Sequence, residues 1–399
     1  MTFDPAAATA QYIDGLGHAA LAKSAAYTIG GHWLLLWGLV VSAIVTMVIV
    51  RLGVLERISG WLSHRRWALR TFLISALFFL VSAVLMLPWD IYAGWMREAA
   101  YGRSNQPLAD FLMQSGISLI ITSVLGGVFF LGIYALVRRT GRRWWLWSGA
   151  LAAFAITTFL LAAPSLIMPL FNDFQPVPNG PVRDALVVMA DEAQIPHDRL
   201  VMFDGSRQSN NFTANVAGVL GTARIAISDV ALHQASLDEV RAVTGHEIGH
   251  YMLGHAWRSV IVFSLLAVLL FFLADRLYPR FARIFGSHAA IDDPVGLPVL
   301  MFTVSLLATL CLPITNTLTR MGESEADAYS MQTVNLPDAM AGALVKTAEY
   351  RYPRPGWIQE ILLYDHPSVE HRVRAAMDWK AAHPPAPATP AATDPARTP

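Results

Sequence analysis

The 399 residues include one cysteine, Cys311. No disulfide can form within the chain, and a structural metal site built from several thiolates is excluded. Charge is also scarce, with 15% of residues Asp, Glu, Lys or Arg against about 25% in an ordinary soluble domain. These charges cancel to a formal net of zero, so composition gives no argument for a nucleic-acid partner. The N-terminus lacks the basic start and short apolar core of a secretory signal, and membrane entry is expected to rely on internal spans. What the chain has in excess is apolar residues. They make up 54% of it and the mean hydropathy is +0.43, the composition of a polytopic membrane protein.

Six apolar runs are long enough to cross about 30 Å of hydrocarbon. They cover residues 32–50, 71–87, 117–137, 144–166, 260–273 (lengthened by its flanks) and 295–315. Residues 1–30 read as a short amphipathic segment outside the spans. Trp33, Trp67, Trp89, Trp95, Trp144, Trp145 and Trp147 cluster at run ends, where indoles favour the bilayer interface. Basic residues alternate between loops. Arg51, Arg57, Arg65, Arg66 and Arg70, then Arg138, Arg139, Arg142 and Arg143, then Arg276, Arg280 and Arg283 fall on one side; the other has only Lys23, Arg97 and Arg103. The positive-inside rule puts the first set in the cytoplasm. The segment between the fourth and fifth spans, and everything after the sixth, then face outward, which in a bacterial inner membrane is the periplasm.

From residue 168 the pattern becomes a small α/β unit, with a helix over 181–194 and strands over 200–203, 212–218 and 223–228. Helices follow the last span over 316–331 and 337–349, and another starts at Pro367 with His366 at its cap. The chain divides into 1–30, four spans over 31–167, a first soluble part over 168–256, two spans over 257–317, a second soluble part over 318–382 and a Pro/Ala/Thr-rich tail over 383–399 read as disordered. Two spans separate the soluble parts, an even number, so both lie on one membrane face and one site can draw on both.

The chemistry centres on His246-Glu247-Ile248-Gly249-His250. Ser236 and Glu239 form a capping box that starts a helix there, and the end of this helix is expected to run into the fifth span. Residues four apart lie about 40° apart on a helix, so His246 and His250 can share a metal. Glu247 sits beside them to deprotonate a water, which is the zinc-hydrolase reading of HExxH; a chance pentad on an amphipathic helix is the plain alternative. A third protein ligand is needed. His255, nine residues from His246, faces the opposite side unless the helix breaks at Gly254. Glu323 is the better candidate, with Asp327 one turn on to orient a ligand histidine and Glu325 about 160° away. From spacing alone a solvated acidic helix end serves equally well. His366 and Arg372 could stabilise an oxyanion or simply begin a polar helix. Ala214, Asn215 and Gly218 lie in a stretch that suits either an edge strand pairing with a peptide substrate or a plain structural strand.

Taken in order, these pieces resemble the integral-membrane zinc metallopeptidases typified by the type-1 CAAX prenyl protease. The resemblance runs from Trp144 to Met377: Pro164 to Asn172, Gly205-Ser206-Arg207 to Asn215 and Gly218, the pentad with Gly254-His255, Glu323 to Asp327, and His366-Pro367 with Arg372. It implies one zinc per chain on His246, His250 and Glu323, with Glu247 as catalytic base and Asp327 in support. His366 and Arg372 would contact the reacting peptide. It also implies a ring of membrane helices around a water-filled chamber, a peptide or protein substrate with or without a prenyl group, and a cytosolic site in the eukaryotic members. Those members have seven spans against the six found here, the first lacking a counterpart. The expected fold is mainly α and polytopic, about six membrane helices with a small zincin-like α/β domain. The oligomeric state is not fixed by any of these residues. Two other readings remain: a membrane quality-control metalloprotease, and a non-catalytic metal-binding scaffold or transporter.

Overall fold

A computed structural model describes residues 3–218 and 223–384; the expected tail beyond Pro384 lies outside them. The chain opens with α1 (Pro5–Asp14), whose Asp4 side chain caps Ala6 N, and α2 (Gly17–Arg51). The first span therefore begins inside the segment expected to precede it. Gly30 and Gly31 do not stop the helix, because an Ala-rich run precedes them and a Leu-rich run follows. After α3 (Val54–Trp61) come α4 (Trp67–Asp90), a π-helical turn, α5 (Arg97–Ala100), α6 (Leu108–Thr140) and α7 (Trp144–Ala162).

Where six spans were expected, four continuous helical stretches are long and apolar enough to cross, and a bent pair makes a fifth. The difference lies in the third stretch, Leu108–Leu170, of 63 residues. Gly141 interrupts it at φ +53°. A Cβ on Gly132 would fall 2.9 Å from Leu151, residues that a straight helix would hold about 28 Å apart. The stretch thus folds back on itself as α6 and α7. Glycines let the membrane helices approach one another: Gly126 and Gly127 face Phe79 and Phe72, and Gly149 faces Val268. Lipid tails are as apolar as Leu, so such close backbone packing carries much of the association. A cavity of about 670 Å³ opens between α4 and α6, lined by Leu87, Asp90, Gln106, Phe111 and Gln114.

The soluble unit follows. A strand with no counterpart in the sequence reading, β1 (Phe174–Pro176), precedes α8 (Pro181–Glu192); then come β2 (Leu200–Phe203), β3 (Ala214–Ala217) and β4 (Arg224–Ser228). The order is β1-β2-β4-β3, with β2 and β4 parallel and β3 antiparallel on the edge, Asn215 opposite Ala226. Gly218 falls just outside the strand. Leu186, Leu200, Ile225, Ile227 and Ile248 form the core beneath the sheet, each contributing about 1.5–3 kcal/mol on burial before entropy is counted.

After α9 (Asp229–Gln234), α10 (Leu237–Met252) carries the pentad. The capping box forms as expected: Glu239 N donates to Ser236 Oγ at 3.3 Å, and Ser236 N to Glu239 Oε2 at 2.7 Å. This helix does not run into the next span. Gly254 at φ +68° ends it, and α11 (His255–Phe285) starts afresh. α12 (Leu297–Leu310) and α13 (Leu312–Thr333) bend by 54° at their junction. α14 (Pro337–Lys346), a short α15 (Trp357–Leu363) absent from the sequence reading, and α16 (Val369–Ala382) complete the fold. The cap of α16 is Ser368, not His366, because the Ser368 hydroxyl accepts His371 N and leaves Pro367 ahead of the helix. α16 packs on α14 and on Ile13 of α1 around Met331, Leu344, Val373 and Met377.

Candidate metal centre

α10 and α13 come together because the facing side of α10 has no side chains at two positions one turn apart. A Cβ on Gly245 would lie 2.5 Å from Val334 Cγ2, and one on Gly249 3.2 Å from the backbone of Ala326. Ser330 Oγ closes the contact by donating to Ala242 O at 2.7 Å. These glycines are the sequence signal for the partner helix that the spacing argument did not use.

With the helices so placed, His246, His250 and Glu323 each turn one ligand atom inward, all within 4.8 Å of one another. His246 Nε2 lies 3.1 Å from His250 Nε2 and 3.3 Å from Glu323 Oε2; His250 Nε2 lies 3.3 Å from Glu323 Oε1. Glu323 is buried, and among the described residues its Oε2 accepts no hydrogen bond. Two ring nitrogens and a carboxylate converging on one point suit a divalent cation of the kind that binds N and O ligands.

The other faces of these ligands are held. Asp327 Oδ1 accepts His246 Nδ1 at 2.8 Å, and Arg372 donates to both Asp327 oxygens, Nε at 2.8 Å and Nη2 at 2.7 Å. Arg372 Nη1 stands 3.6 Å from Glu323 Oε2. Arg372 is buried, so its guanidinium is spent chiefly on Asp327. His366 reaches the same carboxylate, its Nε2 3.3 Å from Glu323 Oε1 and its Nδ1 2.8 Å from Asp365 Oδ1. Burial works against a charge on His246, but the Asp327 and Glu323 carboxylates outweigh it and push its pKa up to about 9. A metal at Nε2 competes with that proton.

Glu247 lines a cleft of about 310 Å³ together with His246, Glu323, His366 and Arg372. Burial pushes its carboxyl above the ordinary carboxylate range, with the positive charge of neighbouring His246 and His250 opposing. One wall of the cleft is the stretch from Asn211 to Ala214, leading into β3. At the far end of β3, Val216 and Gly218 line a second cleft with His250 and Tyr251. Asn215 lies between the two, its buried Oδ1 without a partner among the described residues. The edge strand thus runs past His246 and His250 from one opening to the other.

Comparison with known proteins agrees with this arrangement. The profile of peptidase family M48 matches residues 176–380, and that of the CAAX prenyl protease N-terminal region, described as five membrane helices, matches residues 6–173. The chain is 28% identical over 303 residues to the uncharacterized metalloprotease YhfN of Bacillus subtilis (strain 168), covering 74% of this chain and 71% of that protein. It is 28% identical to the CAAX prenyl protease 1 homolog of Arabidopsis thaliana, covering 74% and 70%, and 24% identical to that of Homo sapiens, covering 75% and 72%. The crystal structure of S. mikatae Ste24p has the same fold, with a TM-score of 0.74 at 20% identity over 90% of this chain and 89% of that one. These matches do not favour a quality-control protease or a non-catalytic scaffold. The chain belongs to peptidase family M48 and is a multi-pass membrane metalloendopeptidase.

Proposed function

We propose that the metal is zinc, one ion per chain, on His246, His250 and Glu323. The observation that carries this is the inward convergence of the three ligand atoms beside Glu247, in one cleft. A zinc ion held there supplies a Lewis acid that acidifies a water and polarises a peptide carbonyl. Glu247, whose carboxylate has no hydrogen-bond partner among the described residues and whose proton affinity burial raises, takes a proton from water and passes it to the leaving amine. His366 faces the cleft and donates to the oxyanion. Arg372 adds positive charge at the same place and holds Asp327, which orients His246. A peptide lies extended along β3 by main-chain hydrogen bonds, past Ala214, Asn215 and Gly218.

Substrates are peptides or proteins, and the names of the plant and human relatives make prenylated ones the first to try. The deciding experiment measures bound zinc and peptide cleavage in detergent-purified wild type and Glu247→Ala, using farnesylated and unmodified peptides. Both proteins are expected to hold about one zinc, with cleavage falling about 10²–10⁴-fold in the variant. Equal cleavage by the two proteins removes Glu247 from the mechanism. A wild type that holds zinc and cuts neither peptide argues against the substrates named.

We also propose, from the loop charges, that the site faces the periplasm of a bacterial inner membrane. In a Cys311→Ser background, His383→Cys should react with a membrane-impermeant thiol reagent on intact cells. Labelling only after lysis puts the site on the cytosolic side.

A further inference from the structure

His255 is the one histidine of the HExxH region with no part in the scheme above, and its surroundings give it one. In a continuous helix, five residues would place it about 140° away from His250. The break at Gly254, φ +68°, restarts the helix and brings it back. His255 Nδ1 lies 2.8 Å from His250 Nδ1, and its Nε2 lies 2.8 Å from Glu325 Oε2. The same Glu325 oxygen accepts Arg258 Nη1 at 2.8 Å. Gly322 leaves room for this group: a Cβ there would meet Arg258 Nη2 at 2.7 Å and His255 Nδ1 at 3.5 Å.

Two nitrogens in hydrogen-bond contact must be one donor and one acceptor. If His255 Nδ1 donated, His250 in its neutral form would carry its proton on Nε2, the atom turned toward His246 and Glu323, and could not bind a metal there. If His250 Nδ1 donates, its Nε2 lone pair is free. His255 must then accept at Nδ1 and carry its own proton on Nε2. That is the nitrogen facing the Glu325 carboxylate, which can only accept.

Resting on the metal-ligand reading of His250, we propose that His255 and Glu325 are positioning residues forming a tautomer relay. Glu325 fixes the proton of His255 on Nε2, and His255 thereby holds that of His250 on Nδ1, leaving its Nε2 aimed at the metal. The arrangement parallels the other histidine ligand, with one imidazole interposed. His246 rests directly on Asp327, which Arg372 holds; His250 rests on His255, then on Glu325, which Arg258 holds. Both carboxylates come from α13, two residues apart, one toward each ligand.

The test is zinc affinity, measured by competition with a chromogenic chelator on the detergent-solubilised full chain. His255→Phe and Glu325→Leu are expected to weaken zinc binding about 10–100-fold, the range for loss of a partner behind a metal ligand. Glu325→Gln, which still offers a carbonyl acceptor, should lose less than Glu325→Leu. The Glu325 side chain is 43% exposed, so its variants should leave the melting temperature of the metal-free protein near that of wild type, separating the relay from a packing role. Zinc affinities of His255→Phe and Glu325→Leu equal to wild type would overturn the relay. So would equal losses in the Gln and Leu variants. Glu323→Gln is run alongside as the control for the underlying reading. If it too keeps wild-type affinity, the assigned ligand set fails and the relay falls with it; if it alone loses zinc, the ligand set stands and only the relay fails.

Discussion

The two halves of the metal centre are built in opposite ways. One half is the single helix α10: cap, two close-packing glycines, the two histidines proposed as ligands and the adjacent glutamate all fall between Ser236 and Met252. The other half is gathered from afar. Glu323 and Asp327 come from beyond two membrane helices, and His366 and Arg372 from the approach to α16 and its first turn. The first half is fixed by helical periodicity and needs no tertiary structure to be recognised. The second exists only because α13 can approach α10 at Gly245 and Gly249, and because Ser368 starts α16 where Arg372 meets Asp327. In the proposed mechanism the local half supplies two ligands and the base, and the distant half supplies the third ligand and the charges that hold everything in register.

The larger effect is therefore expected from the distant half. Asp327→Asn keeps an acceptor for His246 but removes the charge facing Arg372, which stays buried. Breaking a buried ion pair on one side costs about 3–5 kcal/mol, and a metal site losing such a partner weakens about 10–100-fold. Both a lower unfolding midpoint and a lower zinc affinity should appear in the same protein. A variant as stable and as zinc-loaded as wild type would show that α10 carries the site by itself.

The same division governs what could be read from the sequence. The capping box and the 200–203 strand follow from local pattern, and both stand where that pattern puts them. The apolar runs also became helices, and 117–137 and 144–166, read as separate runs, are the two arms of the 63-residue stretch that turns back at Gly141. Asp327 one turn from Glu323 was legible as a support for a histidine ligand, one of two readings the spacing left open, whereas the pairing of Arg372 with Asp327 joins residues 45 apart and has no period to reveal it. His255 is the clearest case. Its angle excluded it as a ligand on an unbroken helix, and the break at Gly254 returned it to the site as a neighbour of His250 instead. Glycine at 254 was visible; that it would adopt the left-handed conformation was not.

The smallest effect should come from the local half. In Ser236→Ala the hydroxyl that accepts Glu239 N is gone, but Glu239 keeps its ion pair with Lys346 Nζ at 2.7 Å. Loss of the cap costs about 1 kcal/mol, a fall of roughly 2–4 °C in melting temperature for a unit of this size. His246 lies nearly three turns further along α10, which is anchored there by α13, so zinc affinity should stay at the wild-type value. Calorimetry with and without zinc, set beside the chelator competition, checks both parts. If Ser236→Ala weakens zinc binding as much as Asp327→Asn does, the pentad depends on the start of its own helix as much as on the residues brought from afar. The two halves would then be one cooperative unit, in which the contiguity of one and the dispersal of the other have no mechanical consequence.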